Sequence, residues 1–364
     1  MGNNQFVVHT SVEIYSEKEK VIHFLLGNQN RHITYEYDPA FLQLALFLSK
    51  PHTVQETVEE LQKQHFHVNE EEVKQAIFLL FSDSILKIVN SDNNAATMST
   101  IYNRQLDFFE EFTDGQKSAT QFQQRLHDAK VVILGLGGIG SWIAYSLVQS
   151  GVRQLTLVDG DRVEESNLTR QAGYRVQDIG RLKVDALADF LQQINPTISL
   201  QTHAIHCKET TDFISICEGK DLIISCMDEP NSVIPGRWIH QVGHTLHIPH
   251  MISGGYRGHL GLIGPTIIPG KSVCYECIVK AIEEEYRDWK LLKPAGKVGT
   301  IGALSAVIAN LHAFEAIRVL THISEPAMLN KKGEFDFLHN QFVLREYKAQ
   351  QNCPYCRKKG DENE

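Results

Sequence analysis

The feature that most constrains this chain is a glycine-rich turn between a short apolar run and a helix. KVVIL leads into Gly135-Leu136-Gly137-Gly138-Ile139-Gly140, and an amphipathic stretch, IGSWIAYSLVQSGV, comes at once after it. Glycines let the backbone turn sharply and approach a phosphate, and a helix N-terminus adds free N–H groups and a positive dipole end. The next strand-like run, QLTLVDGD, reaches Asp159, 24 residues after Gly135, where a carboxylate can bind ribose hydroxyls. By itself this pattern suits NAD as well as ATP.

From Lys130 onward, strand-like and helix-like segments alternate. They run from KVVILGLG and a helix over 138–151 to QLTLVDGD, a helix over 183–194, SLQTHAI and KDLIISCMD, with a further helix beyond. Alternation of this kind predicts an α/β fold, a mostly parallel, Rossmann-like sheet with helices on both faces.

The residues after the second strand separate the two nucleotide readings. Asp159-Gly-Asp161 leads into Asn167-Leu-Thr-Arg170-Gln171, and Lys183 comes 13 residues after Arg170. Hydride transfer has little need of Arg and Lys beside the dinucleotide loop. Cleavage of a triphosphate between its α and β phosphorus atoms does need cations, to neutralise the charge that develops. The run LIISCMD then carries Asp228 to the carboxyl edge of the sheet, where α/β proteins place ligands and where a carboxylate can hold Mg²⁺ against phosphates. Each of these charges alone reads as surface; their order along one chain is the signal.

GLGGIG, VDGDRVEESNLTRQ, GRLKVDAL, CMD and two Cys-x-x-Cys pairs together resemble the ThiF/MoeB/HesA family of ATP-dependent activating enzymes, over roughly residues 100–358. The resemblance implies an adenylyltransferase that attaches AMP to a carboxylate. It implies that Asp159 binds ribose, that Asn167, Arg170 and Lys183 contact ribose or phosphates, and that Asp228 supports Mg²⁺ and catalysis. Gly135, Gly137, Gly138, Gly140, Asp161 and Gln171 complete the nucleotide-binding candidates. Tyr102-Asn103-Arg104-Gln105 matches the family's arginine motif, so Arg104 would reach into a partner subunit's ATP site, and the chain would be at least a homodimer.

Cys274-Tyr-Glu-Cys277 and Cys353-Pro-Tyr-Cys356 form two knuckles whose spacing lets four thiolates close on one tetrahedral Zn²⁺. Such a closed site is structural and would staple the C-terminal region onto the domain. Cys207, Cys217 and Cys226 remain. Family members that transfer sulfur or form thioesters place a cysteine after the first knuckle, and KAIEEEYRDWKLLKPAGKVGT has none. Cys226 reads as a buried strand residue. His240, His244, His247 and His250 lack an acidic cluster that would complete a metal site, so they read as core or solvated histidines.

Residues 1–92 read as a separate module. Alternating runs suggest strands, three helical stretches come next, Thr53 and Glu56 have capping-box spacing, and ILKIV could close the unit as a strand or wing. Strands followed by three short helices suggest a winged-helix-like module. NSDNNAATMST reads as a linker, residues 93–128 as linker plus the arginine-bearing helix (a single helix from about Arg104 to His127), and residues 129–364 as the adenylation domain. The front module resembles the PqqD-like leader-recognition fold. GGY, GPTIIPGK, CYEC and SEPAMLNK resemble MccB-like peptide-maturation enzymes, which implies a short precursor peptide as substrate. The acidic, aromatic EEEYRDWKLLKPAGK would then serve as a lid. Rival readings are an activator of a ubiquitin-like sulfur carrier, a leader-binding scaffold without catalysis, and, third, an NAD oxidoreductase.

Lys and Arg number 35 against 44 Asp and Glu, a net charge of −9, which argues against a nucleic-acid surface. The N-terminal MGNNQFVVHTSVEIYS lacks the basic and apolar blocks of a signal peptide, and IGSWIAYSLVQSGV is too short and polar to span a bilayer. A cytoplasmic location without membrane association is expected.

Overall fold

The computed structural model of this protein describes residues 4–17, 20–36, 38–89, 100–113, 117–290, 292 and 299–356. The chain divides into two compact units, residues 1–120 and 121–364.

In the first unit, β1 (Gln5–Val8) precedes an antiparallel meander of β2 (Val12–Glu17), β3 (Val21–Leu26) and β4 (Arg31–Glu36). Asp38 caps α1 (Pro39–Phe47) by accepting the Phe41 N–H at 2.9 Å. After β5 (His52–Thr53), the expected capping box opens α2 (Val54–Lys63): the Thr53 N–H donates to Glu56 Oε2 at 2.7 Å and the Glu56 N–H to Thr53 Oγ1 at 3.2 Å. Asn69 and Glu72 repeat the device at α3 (Glu70–Ser82). β6 (Leu86–Val89), the ILKIV segment, pairs antiparallel with β1 and so closes that small sheet, while the meander is the wing-like part. Phe6, Ile22, Phe24, Leu48, Leu61, Ile77 and Leu80 fill the core between these layers. Burying each such side chain contributes about 1.5–3 kcal/mol.

The linker placed at 90–100 falls outside the described residues except for Thr100. The single helix expected over 104–127 is instead two, α4 (Asn103–Glu110) and α5 (Ala119–Asp128). Thr-Asp-Gly at 113–115 is a turn signal that the helical period around it obscures. Lys87 of β6 pairs with Glu110 of α4, tying that helix into the first unit.

The second unit is the expected doubly wound fold. β7 (Lys130–Leu134), α6 (Gly140–Gln149), β8 (Gln154–Val158), α7 (Lys183–Ile194), β9 (Ser199–His203), α8 (Thr211–Cys217), β10 (Leu222–Ser225), α9 (Val233–Thr245) and β11 (His250–Ile252) succeed one another. A small hairpin of β12 (Gly255–Arg257) and β13 (Leu260–Ile263) precedes β14 (Thr266–Ile267), α10 (Tyr275–Glu285), α11 (Gly302–Thr321), β15 (Lys331–Asp336) and β16 (Gln341–Glu346). The main sheet runs β14-β11-β10-β7-β8-β9, parallel throughout except for β14 at its edge; β12, β13, β15 and β16 form a second, antiparallel sheet.

Side chains alternate across the main sheet. Val132, Leu134, Val158 and Ile223 pack with Phe213 of α8 and Ile239 and Val242 of α9. The intervening Val131, Ile133, Leu155, Leu157 and Ile224, equally buried, point to the other face, covered by α6 and α7. α11 is long and apolar enough to cross a bilayer by length and composition, yet half of it is buried in the fold, where it packs along α6 and β13. Successive strands step away from β7 in opposite directions, β8 and β9 to one side, β10 and β11 to the other. The gap between the ends of β7 and β10 is therefore the topological switch point, where such sheets bind ligands.

Candidate nucleotide-activating site

The glycine turn sits at that switch point. Gly135 has φ +84°, and a Cβ there would lie 2.9 Å from the Cys226 carbonyl, so the turn closes directly on the end of β10. A Cβ on Gly140 would come within 1.9 Å of the Gly135 carbonyl oxygen, which only glycine permits. Asp159 holds the turn from β8: its Oδ2 accepts the Leu136 N–H at 2.7 Å and its Oδ1 the Asp161 N–H at 2.8 Å. The Tyr174 hydroxyl donates to the Leu136 carbonyl at 3.0 Å. Burial and the nearby Asp159 push that phenol far up, so it stays a donor. No side chain caps α6, which leaves its dipole end available to a ligand.

Of the residues expected around the turn, Arg170 and Gln171 lie against its glycines, and Lys183 is linked to it through Asp161 and Asp159. Lys183 opens α7 with only 6% of its surface exposed, and its ammonium contacts Asp161 Oδ2 at 2.7 Å. Arg170 lies against Gly138, with its Cγ 3.6 Å from where a Cβ would be, and its guanidinium donates to the Ser166 carbonyl at 2.8 Å. Asn167 is buried and accepts the Glu164 N–H at 3.1 Å, shaping the loop that carries Arg170. Gln171 is buried beside Gly137, and its side-chain carbonyl has no partner. Asp228 stands exposed just beyond β10, its carboxylate paired with no described residue. Arg104 is exposed on α4 of the first unit.

Two further side chains that face the turn were not legible in the sequence. Tyr256 of β12 and Ser305 of α11 bring their hydroxyls to 3.2 and 3.3 Å from the position of a Gly138 Cβ. Tyr256 belongs to a run the sequence singles out, but nothing there says which side chain turns inward. Ser305 lies in an apolar helix with no signal of its own.

The four expected zinc ligands converge, their donor atoms all within 4.8 Å of one another. Cys274 and Cys353 Sγ are 3.4 Å apart and Cys277 and Cys356 Sγ 3.8 Å, close to the edge of a tetrahedron with metal–sulfur distances of about 2.3 Å. The Gln350 N–H donates to Cys277 Sγ at 3.2 Å and the Cys274 N–H to Cys356 Sγ at 3.3 Å, two contacts that each favour the thiolate form. The donor set fits a structural Zn²⁺.

Cys226 comes directly after β10, and burial raises its thiol far above the ordinary range, which leaves it a poor nucleophile. His240 and His250 are core residues. His250 Nδ1–H donates to the Ile248 carbonyl at 3.0 Å, so its Nε2 accepts from His240 Nδ1 at 3.1 Å. Of the expected lid, residues to 285 belong to α10, and 291 and 293–297 lie outside the described residues.

A model of the ThiF family matches residues 102–358. The molybdopterin-synthase adenylyltransferase of Salmonella typhimurium is 31% identical over 237 residues, 64% of this chain and 89% of that protein. The adenylyltransferase and sulfurtransferase uba4 of Emericella nidulans is 34% identical over 220 residues, 56% of this chain but only 42% of that longer protein. The crystal structure of E. coli MccB with AMPCPP and MccA matches with a TM-score of 0.78 at 23% identity, covering 97% of this chain and 100% of that one, a likeness of fold. With its glycine turn, its cations and its cysteine quartet in that family's order, this chain belongs to the ThiF family and is an adenylyltransferase of the ThiF/MoeB kind.

Proposed function

We propose that this adenylyltransferase activates the C-terminal carboxylate of a short ribosomal peptide. A carboxylate oxygen attacks the α-phosphorus of ATP, the bond to the β-phosphate oxygen breaks, and pyrophosphate leaves with its electron pair, giving an acyl-adenylate. The glycine turn and the α6 N-terminus hold the α-phosphate, and Asp159 and Asn167 orient the ribose end. Lys183 and Arg170 neutralise charge on the phosphates as the bond breaks. Mg²⁺ held at Asp228 would supply further neutralisation. Arg104 of a second protomer completes the site, which makes the working form a homodimer. Zn²⁺ at the four cysteines stabilises the fold and takes no part in the chemistry.

The observation that carries the peptide reading is the first unit. The family match begins at residue 102, so this folded module is additional to the family's shared part. Among the described residues β2 and β4 are the outer strands of its meander, and an outer strand offers backbone groups to which an extended peptide can pair. MccB, of the same fold over its whole length, was crystallised with MccA, which adds support.

A second reading has an observation of its own: sequence relatives are named as molybdopterin-synthase and sulfur-carrier adenylyltransferases. In that case the substrate is a ubiquitin-like carrier. ATP–pyrophosphate exchange by the full-length protein separates the two. Exchange stimulated by short peptides encoded beside it supports the first reading. Exchange stimulated only by a carrier ending in Gly-Gly supports the second and sinks the first.

A further inference from the structure

Two helices begin at the same place in the second unit. α6 and α11 pack side by side, with the Ser146 hydroxyl of one 2.8 Å from Asn310 Oδ1 of the other. At their starts, Gly138 faces Ser305 of the first turn of α11. Ser146 and Asn310 each lie about a turn and a half further along, so the helices run in the same direction. Both positive dipole ends therefore converge, and neither helix has a side-chain cap. A Cβ on Gly302 would lie 2.6 Å from the Thr169 carbonyl, so the start of α11 also abuts the loop that carries Arg170.

Into this point project two hydroxyls that the protein leaves unpaired. Ser305 is 0% exposed and its Oγ has no hydrogen-bond partner; Tyr256 Oη is likewise buried and without one. The two oxygens are neighbours. Burial pushes the Tyr256 phenol up to about 12, so it remains an O–H donor, while the Ser305 hydroxyl beside it pulls the other way. A buried donor kept unpaired costs stability and calls for an explanation, of which a bound ligand is one.

We propose that the Tyr256 and Ser305 hydroxyls form a donor pair for a non-bridging oxygen of the nucleotide's α-phosphate. This rests on the adenylation reading above and assigns two positioning residues to its site. The pair faces Gly138, at the centre of the turn, and Asp159 marks the ribose end. Two neutral donors suit an oxygen whose charge grows as the α-phosphorus becomes five-coordinate. Being uncharged, they would not hold the finished adenylate as tightly as another cation would.

The test compares AMP with adenosine, which lacks the phosphate, as ligands of the full-length protein and of its Tyr256→Phe, Ser305→Ala and double variants. Isothermal titration gives both affinities, and melting curves establish that each variant folds. AMP affinity should fall about tenfold per hydroxyl removed, with adenosine affinity unchanged. The kcat of ATP–pyrophosphate exchange should fall at least as far, with KM for ATP changing less. If the AMP-to-adenosine ratio of the double variant stays within twofold of wild type, or both affinities fall together, the proposal is overturned. A wild-type protein that does not prefer AMP over adenosine overturns it too. Should Tyr256→Phe fail to fold, Ser305→Ala alone decides. A ratio that falls as expected while no carboxylate supports exchange would uphold the pair and sink the adenylation reading instead.

Discussion

The Lys183 ammonium lies 2.7 Å from the Asp161 carboxylate, and the Lys183 backbone N–H donates to the Asp161 carbonyl at 2.9 Å. The lysine side chain is 8% exposed while the aspartate's is 55% exposed, so the acid meets water and the cation is held inward. The pair keeps a buried charge compensated.

Lys183→Met should therefore lower ATP–pyrophosphate exchange by at least about 10²-fold, because it removes a cation from the developing charge. Asp161→Asn should cost less, about tenfold, since the lysine stays and only its orientation is loosened. Steady-state exchange assays on both variants check this; equal losses would show that the aspartate itself contacts the nucleotide.

Two glycines of one turn should respond in opposite ways. Gly140→Ala places a methyl 1.9 Å from the Gly135 carbonyl oxygen, so it should destabilise the fold by about 1–3 kcal/mol or more. Gly137→Ala meets nothing nearer than 3.9 Å, so its melting temperature should hold while ATP affinity falls, because the new methyl enters the cradle. Thermal melts paired with ATP titrations distinguish the two; an unchanged ATP affinity in Gly137→Ala would place the phosphates elsewhere.

The purified protein should contain about one zinc per chain, and Cys353→Ser should lose it and melt at lower temperature. Chelation should have the same effect on wild type. Elemental analysis beside calorimetry checks both, and a metal-free protein of unaltered stability would refute a structural ion.

Burial lowers His240 to about 3 and His250 to about 4, from an ordinary value of 6.5. Both are neutral in the folded state at pH 7, whereas the unfolded chain takes up protons below pH 6.5. Their contribution is complete above pH 6.5 and is lost as pH falls from there, toward about 4 for His250 and about 3 for His240. Two protons limit the slope to about 2.7 kcal/mol per pH unit. Urea midpoints measured between pH 7.5 and 5 should fall with pH, and less so in His240→Gln; parallel profiles would assign the slope to other groups.

If Arg104 acts in trans, Arg104→Ala and Lys183→Met proteins should each be inactive, yet a refolded equimolar mixture should regain about a quarter of wild-type exchange. Half of randomly paired dimers are mixed, and each mixed dimer has one complete site. No recovery would place the arginine in its own protomer's site or outside the site altogether.

Local chemistry was readable wherever a residue's neighbours in the chain determine its job. The Thr53–Glu56 capping box, the turn at Gly135–Gly140, the helix over 183–194 and the knuckles at 274–277 and 353–356 all depend on spacings of a few residues, and spacing survives in one dimension. The break between α4 and α5 did not survive, because a three-residue turn signal inside a helical period is weak beside the apolar pattern around it. Likewise β6 could be read as a strand, but its pairing with β1, some eighty residues away, could not.

Alternating strand-like and helix-like segments along this chain pointed to its fold class, and the order of its glycines, cations and cysteines pointed to the kind of chemistry. Only folding brings Tyr256 and Ser305, from two elements remote in sequence, to face Gly138, and only folding leaves their hydroxyls without partners. Hydrogen-bond satisfaction depends on every atom packed around a group, and a sequence records only which atoms are near along the chain.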